Sequence, residues 1–106
     1  MSDKELLEAA AKAAGIDTAN QPYRDAICVR VGSLSWREWN PRADDGDALR
    51  LAVQLRFEID ICETGIAVRT PTGVKVLVSE KLEPDPYAAT RLAITRAAAE
   101  IGKTTP

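Results

Sequence analysis

The 106-residue chain contains no histidine. That absence removes the commonest general base and the usual partner of a serine or cysteine nucleophile. Only two cysteines are present, Cys28 and Cys62. Without histidine, two thiolates cannot close a tetrahedral zinc site within one chain. A disulfide needs an oxidising compartment, which nothing in the sequence suggests, so both are expected as reduced thiols on strands. No apolar run approaches the roughly 20 residues of a membrane helix. The opening Ser2-Asp3-Lys4-Glu5 is not a secretory signal, so the expected location is the cytoplasm, away from membranes. There is no phosphate-cradling glycine loop, no internal repeat and no low-complexity segment. No cofactor is expected.

Charge of one sign is also lacking. Fourteen cations stand against sixteen acids, a net charge of −2, which leaves no whole-chain footprint for nucleic acid or membrane. The 45% hydrophobic and 28% charged content is ordinary for a soluble globular protein. The length suits one domain over 1–106 with a modest core, its last residues, 102–106, frayed.

What is present begins with a capping box, Ser2 to Glu5, which starts a helix running to about Ala14 with Gly15 as its C′ residue. Its stripe is Leu6, Leu7, Ala10 and Ala14. Ala26 to Val31 alternates, with Ile27, Val29 and Val31 on one face. Gly32-Ser33 is a turn, and Leu34 to Trp39 pairs back as a short strand. Pro41 closes the extended segment. Asp44 or Asp45 then caps a central helix whose acidic first turn, with Asp47, suits the helix dipole. Leu49, Ala52 and Val53, widened by Ala48, Leu51 and Leu55, predict burial on two sides.

Arg56 to Cys62 is the clearest strand, with Phe57, Ile59 and Ile61 inward and Arg56, Glu58 and Asp60 in water. Glu63-Thr64-Gly65 turns the chain into Ile66–Thr70, and Pro71-Thr72-Gly73 turns it again into Val74–Val78, with Val74, Val76 and Val78 inward. Lys81 to Pro84 links to a last helix, capped by Asp85 with Pro86 at N1. That helix buries Ala89, Leu92, Ala93, Ala97 and Ile101, and Gly102 ends it. The order is α-β-β-α-β-β-β-α. Adjacent strand runs and short loops predict an α+β fold, helices packed on one face of an antiparallel sheet.

Three stretches carry a resemblance. Trp39-Asn40-Pro41 followed by Asp44-Asp45-Gly46-Asp47-Ala48-Leu49-Arg50-Leu51-Ala52-Val53 resembles a pattern in small accessory proteins of tailed phages and prophages. Leu6 to Gly15 and Ala88 to Gly102 resemble the same proteins at the two ends. Where that family reads Leu-Thr after the proline, this chain has Arg42-Ala43. The resemblance implies a phage origin and a bacterial host, and it brings no settled activity.

The candidate sites follow. The cluster Asp44, Asp45 and Asp47 has the carboxylates a hard cation wants, but it lacks the calcium-loop spacing, and helix capping accounts for it without a metal. Glu58 and Asp60 share a strand face and read as solvated charge rather than an acid–base pair. Nine of the fourteen cations are arginine, which suits bidentate phosphate contacts, yet acids are interleaved with them. Trp39 is the better core residue; Trp36, on the opposite strand face, is the better surface anchor. Trp36, Arg37 and Arg42 are the expected partner-binding residues.

The sequence therefore ranks three readings. The first is a non-enzymatic phage-type accessory protein that binds a host or phage protein, in its concrete form an antagonist of a bacterial defence system in the manner of anti-CRISPR proteins. The second is a nucleic-acid-binding module using arginines on the exposed sheet face. The third is a metal-dependent enzyme at the aspartate cluster.

Overall fold

A computed structural model of the chain describes residues 2–32, 35–71 and 77–104. In chain order the elements are α1 (Asp3–Ala13), β1 (Cys28–Val31), β2 (Ser35–Glu38), α2 (Asp45–Gln54), β3 (Glu58–Ile61), β4 (Gly65–Arg69), β5 (Leu77–Lys81) and α3 (Pro86–Thr104). The order is the expected one, and the fold is α+β. The strands form two antiparallel sheets, a β1–β2 hairpin and a β3–β4–β5 meander.

Local chemistry sets the helix ends. Ser2 Oγ caps α1 by accepting from Glu5 N–H at 3.2 Å, and its hydroxyl donates to the Glu5 carboxylate at 3.1 Å. At the other end of α1, Gly15 takes φ +77°, its N–H reaches Lys12 O and Ile16 N–H reaches Ala11 O, a Schellman closure. Helix α2 closes the same way, Arg56 N–H to Val53 O and Phe57 N–H to Ala52 O. Here Arg56, not glycine, takes φ +60°, so it ends the helix rather than starting the strand. Asp85 accepts from Tyr87 and Ala88 N–H, with Pro86 at the first helical position.

Helix α3 sits at the centre. It packs on β4 and β5 of the meander, and both α1 and α2 pack on it. Ala93, Ile94, Thr95, Ala97, Ala98, Ala99 and Gly102 are all buried, more than one helical stripe. The α1 face that meets it is equally small, with Ala10 and Ala11 fully buried. Small faces let backbones come close: a Cβ built on Gly102 would lie 1.8 Å from Ala9 O. Gly102 therefore does not end α3, which continues to Thr104; it is the notch that receives α1. Buried Thr95 satisfies its hydroxyl on Arg91 O at 2.8 Å.

Several burial expectations are corrected. In α2, Ala48, Leu51 and Ala52 are buried, but Leu49 and Val53 are 62% and 58% exposed, so this helix is covered on one side. Phe57 and Ile59 are half-buried, and Ile61 is 59% exposed. Its face is correct, but α3 covers β4 and β5 and does not reach the β3 edge. Val31 is exposed for a related reason, since only the base of the β1–β2 hairpin, with Cys28 buried and Val29 packed on the core, meets the body. Strand β5 runs on to Lys81, so Lys81 pairs with Gly65 instead of linking. Val78 is buried as expected; Val74 and Val76, with Ser33, Leu34, Thr72 and Gly73, lie outside the described residues.

Gly102→Ala supplies a sharp test of the α1–α3 contact. Helix propensity alone favours alanine by about 1 kcal/mol. The clash with Ala9 backbone should reverse the sign, costing about 1–3 kcal/mol in a urea melt. A variant as stable as the parent contradicts the close approach.

Candidate functional site

The stretch from Trp36 to Arg50 brings the hairpin, the following turn and α2 together on one side chain, Asp47. Asp44 takes the cap position of α2 and accepts from Asp47 N–H at 2.7 Å. That places Asp47 on the third helical residue, where its carboxylate turns back toward the incoming chain. It is only 1% exposed. Its Oδ2 accepts from Asn40 N–H at 2.9 Å, and its Oδ1 accepts from Arg37 at 2.9 Å and Arg50 at 2.8 Å. Burial pushes the carboxyl up, but the Asn40 N–H and the guanidiniums of Arg50 and Arg37 outweigh it and hold the group below its ordinary value.

The three aspartates thus diverge. Asp44 caps, Asp45 reaches Arg91 on α3 at 2.6 Å, and Asp47 is a buried acceptor. Among the described residues no three Cys, Asp or Glu side chains converge as a metal site would require. Reading Asp47 as a simple capping residue missed its role. The signal was there, an aspartate with arginine three residues on and a second arginine ten residues upstream.

The three partner-binding candidates occupy different settings. Trp36 is 38% exposed on β2, and Arg30 from the paired strand lies over its ring at 4.9 Å, a cation–π contact. Arg37 spends its guanidinium on Asp47 and on Glu38 O at 3.2 Å. Arg42 pairs with Asp3 of α1, while its carbonyl accepts from Arg91 Nε at 2.8 Å. Both arginines therefore fasten elements together. Trp39 is buried in the core with Ile27, at the base of the hairpin. The geometry brings Trp36, Arg30 and Arg37 onto one hairpin and leaves Arg42 on the helical body.

The other arginines follow the same pattern. Arg50, Arg69, Arg91 and Arg96 each sit on a carboxylate, Arg69 with Glu58 across the outer sheet face at 3.5 Å. A recess of about 680 Å³ opens between α1, the 18–26 segment and the hairpin base. Its lining holds Asp3, Glu8, Asp25 and Glu38 against Lys4 and Arg24, so acids outnumber cations there. Cys28 is buried and Cys62 exposed, both free. No helix among the described residues is long and apolar enough to cross a membrane.

Two outcomes test the Asp47 hub. Asp47→Ala should cost about 1–3 kcal/mol, since it orphans the Asn40 N–H. Arg37→Ala and Arg50→Ala should each cost under about 1 kcal/mol, because the other donors remain and both side chains already face water. Denaturant melts in which all three cost the same contradict the hub.

Acid supplies the second check. A carboxyl whose folded value is lowered contributes fully above the unfolded value of about 3.9. That contribution is lost as pH falls through the lower folded value. The stability gap between the chain and Asp47→Asn should therefore hold near neutrality and close below about pH 4. A gap that widens in acid contradicts the assignment.

Comparison of this chain with protein-family models, curated proteins and solved structures gives no match in any of the three.

Proposed function

We propose that this chain is a non-enzymatic module that binds another protein, and that the β1–β2 hairpin is the surface it offers. The observation that carries the reading is the hairpin's isolation. It meets the body only at its base, through Cys28, Val29 and the bond from Arg37 to buried Asp47, and it holds Trp36 and Val31 in water. An isolated two-stranded hairpin is marginal in water, so an anchored one bearing an exposed tryptophan suits a partner surface. The resemblance of Trp39–Val53 and of the chain's two ends to phage accessory proteins supplies the concrete version. In that version the partner is a host or phage protein in a bacterial cytoplasm, and the outcome is antagonism of a bacterial defence system.

The nucleic-acid reading is weaker on a specific ground. Six of the nine arginines are neutralised by carboxylates, and the outer sheet face pairs Arg69 with Glu58 beside Asp60. A phosphate backbone would have to displace those carboxylates.

Immobilised chain should capture a discrete protein from bacterial lysate, and nuclease treatment should not release it. Trp36→Ala should abolish the capture with the thermal midpoint nearly unchanged. Tight binding to a random oligonucleotide that weakens steeply between low and physiological salt would instead establish the rival reading.

A further inference from the structure

We propose that the free edge of β3 is a strand-addition site for an extended segment of another protein in which apolar residues alternate with lysine or arginine. This surface is separate from the hairpin and stands or falls apart from it. Strand β3 is an edge of the meander, and the ladder register decides which of its backbone groups face outward. Cys62 N–H donates to Gly65 O at 2.8 Å, and the next pair along is Ile61 with Ile66. Bonded and non-bonded pairs alternate along an antiparallel ladder. Asp60–Ala67 and Glu58–Arg69 are therefore bonded pairs, and Ile59 and Ile61 turn their backbone groups away from β4.

At the start of that edge Phe57 N–H is already closed on Ala52 O at 2.9 Å. The N–H and C=O groups of Ile59 and Ile61 have no hydrogen-bond partner among the described residues. An extended backbone is the ligand whose donors and acceptors repeat at the spacing such an edge presents. The helix side of the sheet says what its side chains should be. There Ile66 and Val68 are buried, Ile59 is half-buried and Ile61 is largely exposed, because α3 packs on β4 and β5 and stops short of it. Apolar residues opposite Ile59 and Ile61 would continue that face and take Ile61 out of water.

The outer side of the sheet sets the charge. Glu58 is already met by Arg69 across the ladder. Asp60, between the two isoleucines, forms no ion pair among the described residues; its carboxylate accepts from the Cys62 thiol at 3.7 Å. A cation opposite Asp60 gains a cross-strand pair, and an acid there meets like charge. The same residue turns away a second copy of the chain. Two-fold pairing that bonds Ile59 to Ile61 sets Asp60 against its own copy. A shift that bonds Ile59 to its own copy sets Glu58 against Asp60. The opposite shift, Ile61 on Ile61, runs Ile59 into Glu63, which lies in the bend beyond the strand and ends the ladder.

The test uses the isotope-labelled full chain and a short peptide of alternating valine and lysine, followed by NMR. Saturable shifts are expected at the Ile59 and Ile61 amides and not at those of Val29, Arg37 or α1. N-methylation of the alternate peptide amides that face β3 should weaken binding about ten-fold, the loss of one or two hydrogen bonds. Methylation of the other set should leave it unchanged. Glutamate in place of lysine should weaken it. Asp60→Asn should weaken the lysine peptide about three-fold and leave a valine–serine peptide unaffected. Trp36→Ala should bind the lysine peptide undiminished.

Absence of shifts at Ile59 and Ile61, equal effects of the two methylation patterns, or equal binding of the lysine and glutamate peptides overturns the proposal. So does dilution of the chain alone shifting those same amides, which would mark a second copy as the occupant. If the peptide fails while lysate capture through Trp36 persists, the β3 site falls and the hairpin reading stands. If the peptide binds as described and capture fails, the hairpin reading falls and the β3 site stands.

Discussion

A carboxylate with 1% exposure needs partners, and the three donors around Asp47 govern how the molecule is assembled. Burying an ionised group without compensation costs several kcal/mol. Here compensation comes from three places in the chain: Arg37 on β2, Asn40 in the turn after it, and Arg50 one helical turn on. Satisfying Asp47 therefore fixes how the hairpin leaves the body. The neighbouring residues extend the same knot, since Asp45 holds Arg91 of α3 and Arg42 holds Asp3 of α1. The Asn40–Asp47 segment is in this way tied to all three helices.

The rest divides into a body and a projection. The body rests on close helix contact, with Ala10 and Ala11 of α1 against the alanine-rich α3 and Gly102 as the notch. Such faces bury little area per residue but allow backbones to approach closely, so packing depends on keeping side chains small. Gln54 adds a polar fastening by donating to Ala14 O at 2.7 Å, which joins the end of α2 to the end of α1. The hairpin joins this packing only at its base, through Ile27, Trp39, buried Cys28 and half-buried Val29. The molecule measures 43 × 31 × 25 Å.

Much of this was legible in the sequence wherever a local rule decides. The caps at Ser2, Asp44 and Asp85, the C′ role of Gly15 and the opposite fates of Trp36 and Trp39 follow from spacing and alternation. What escaped depended on what covers a face. Ile61 alternates correctly yet lies on an edge that α3 does not reach, and Leu49 and Val53 share a helix with buried neighbours but stay exposed. Gly102 has the look of a helix terminator because the approach of Ala9 is not written near it in sequence. Asp47 has the look of a second capping residue because its partners lie on both sides of a proline turn. Gln21, which mimics a strand for Cys28, lies in a segment without helix or strand periodicity.

The central claim is that Asp47 holds the hairpin to the body as a separable unit. Amide hydrogen exchange at neutral pH on the chain and on Asp47→Asn tests it most directly. Protection should fall at the ladder amides of Val29, Val31 and Arg37 while the amides of α1 and α3 keep theirs. Equal loss across hairpin and helices, or none in the hairpin, would contradict the account.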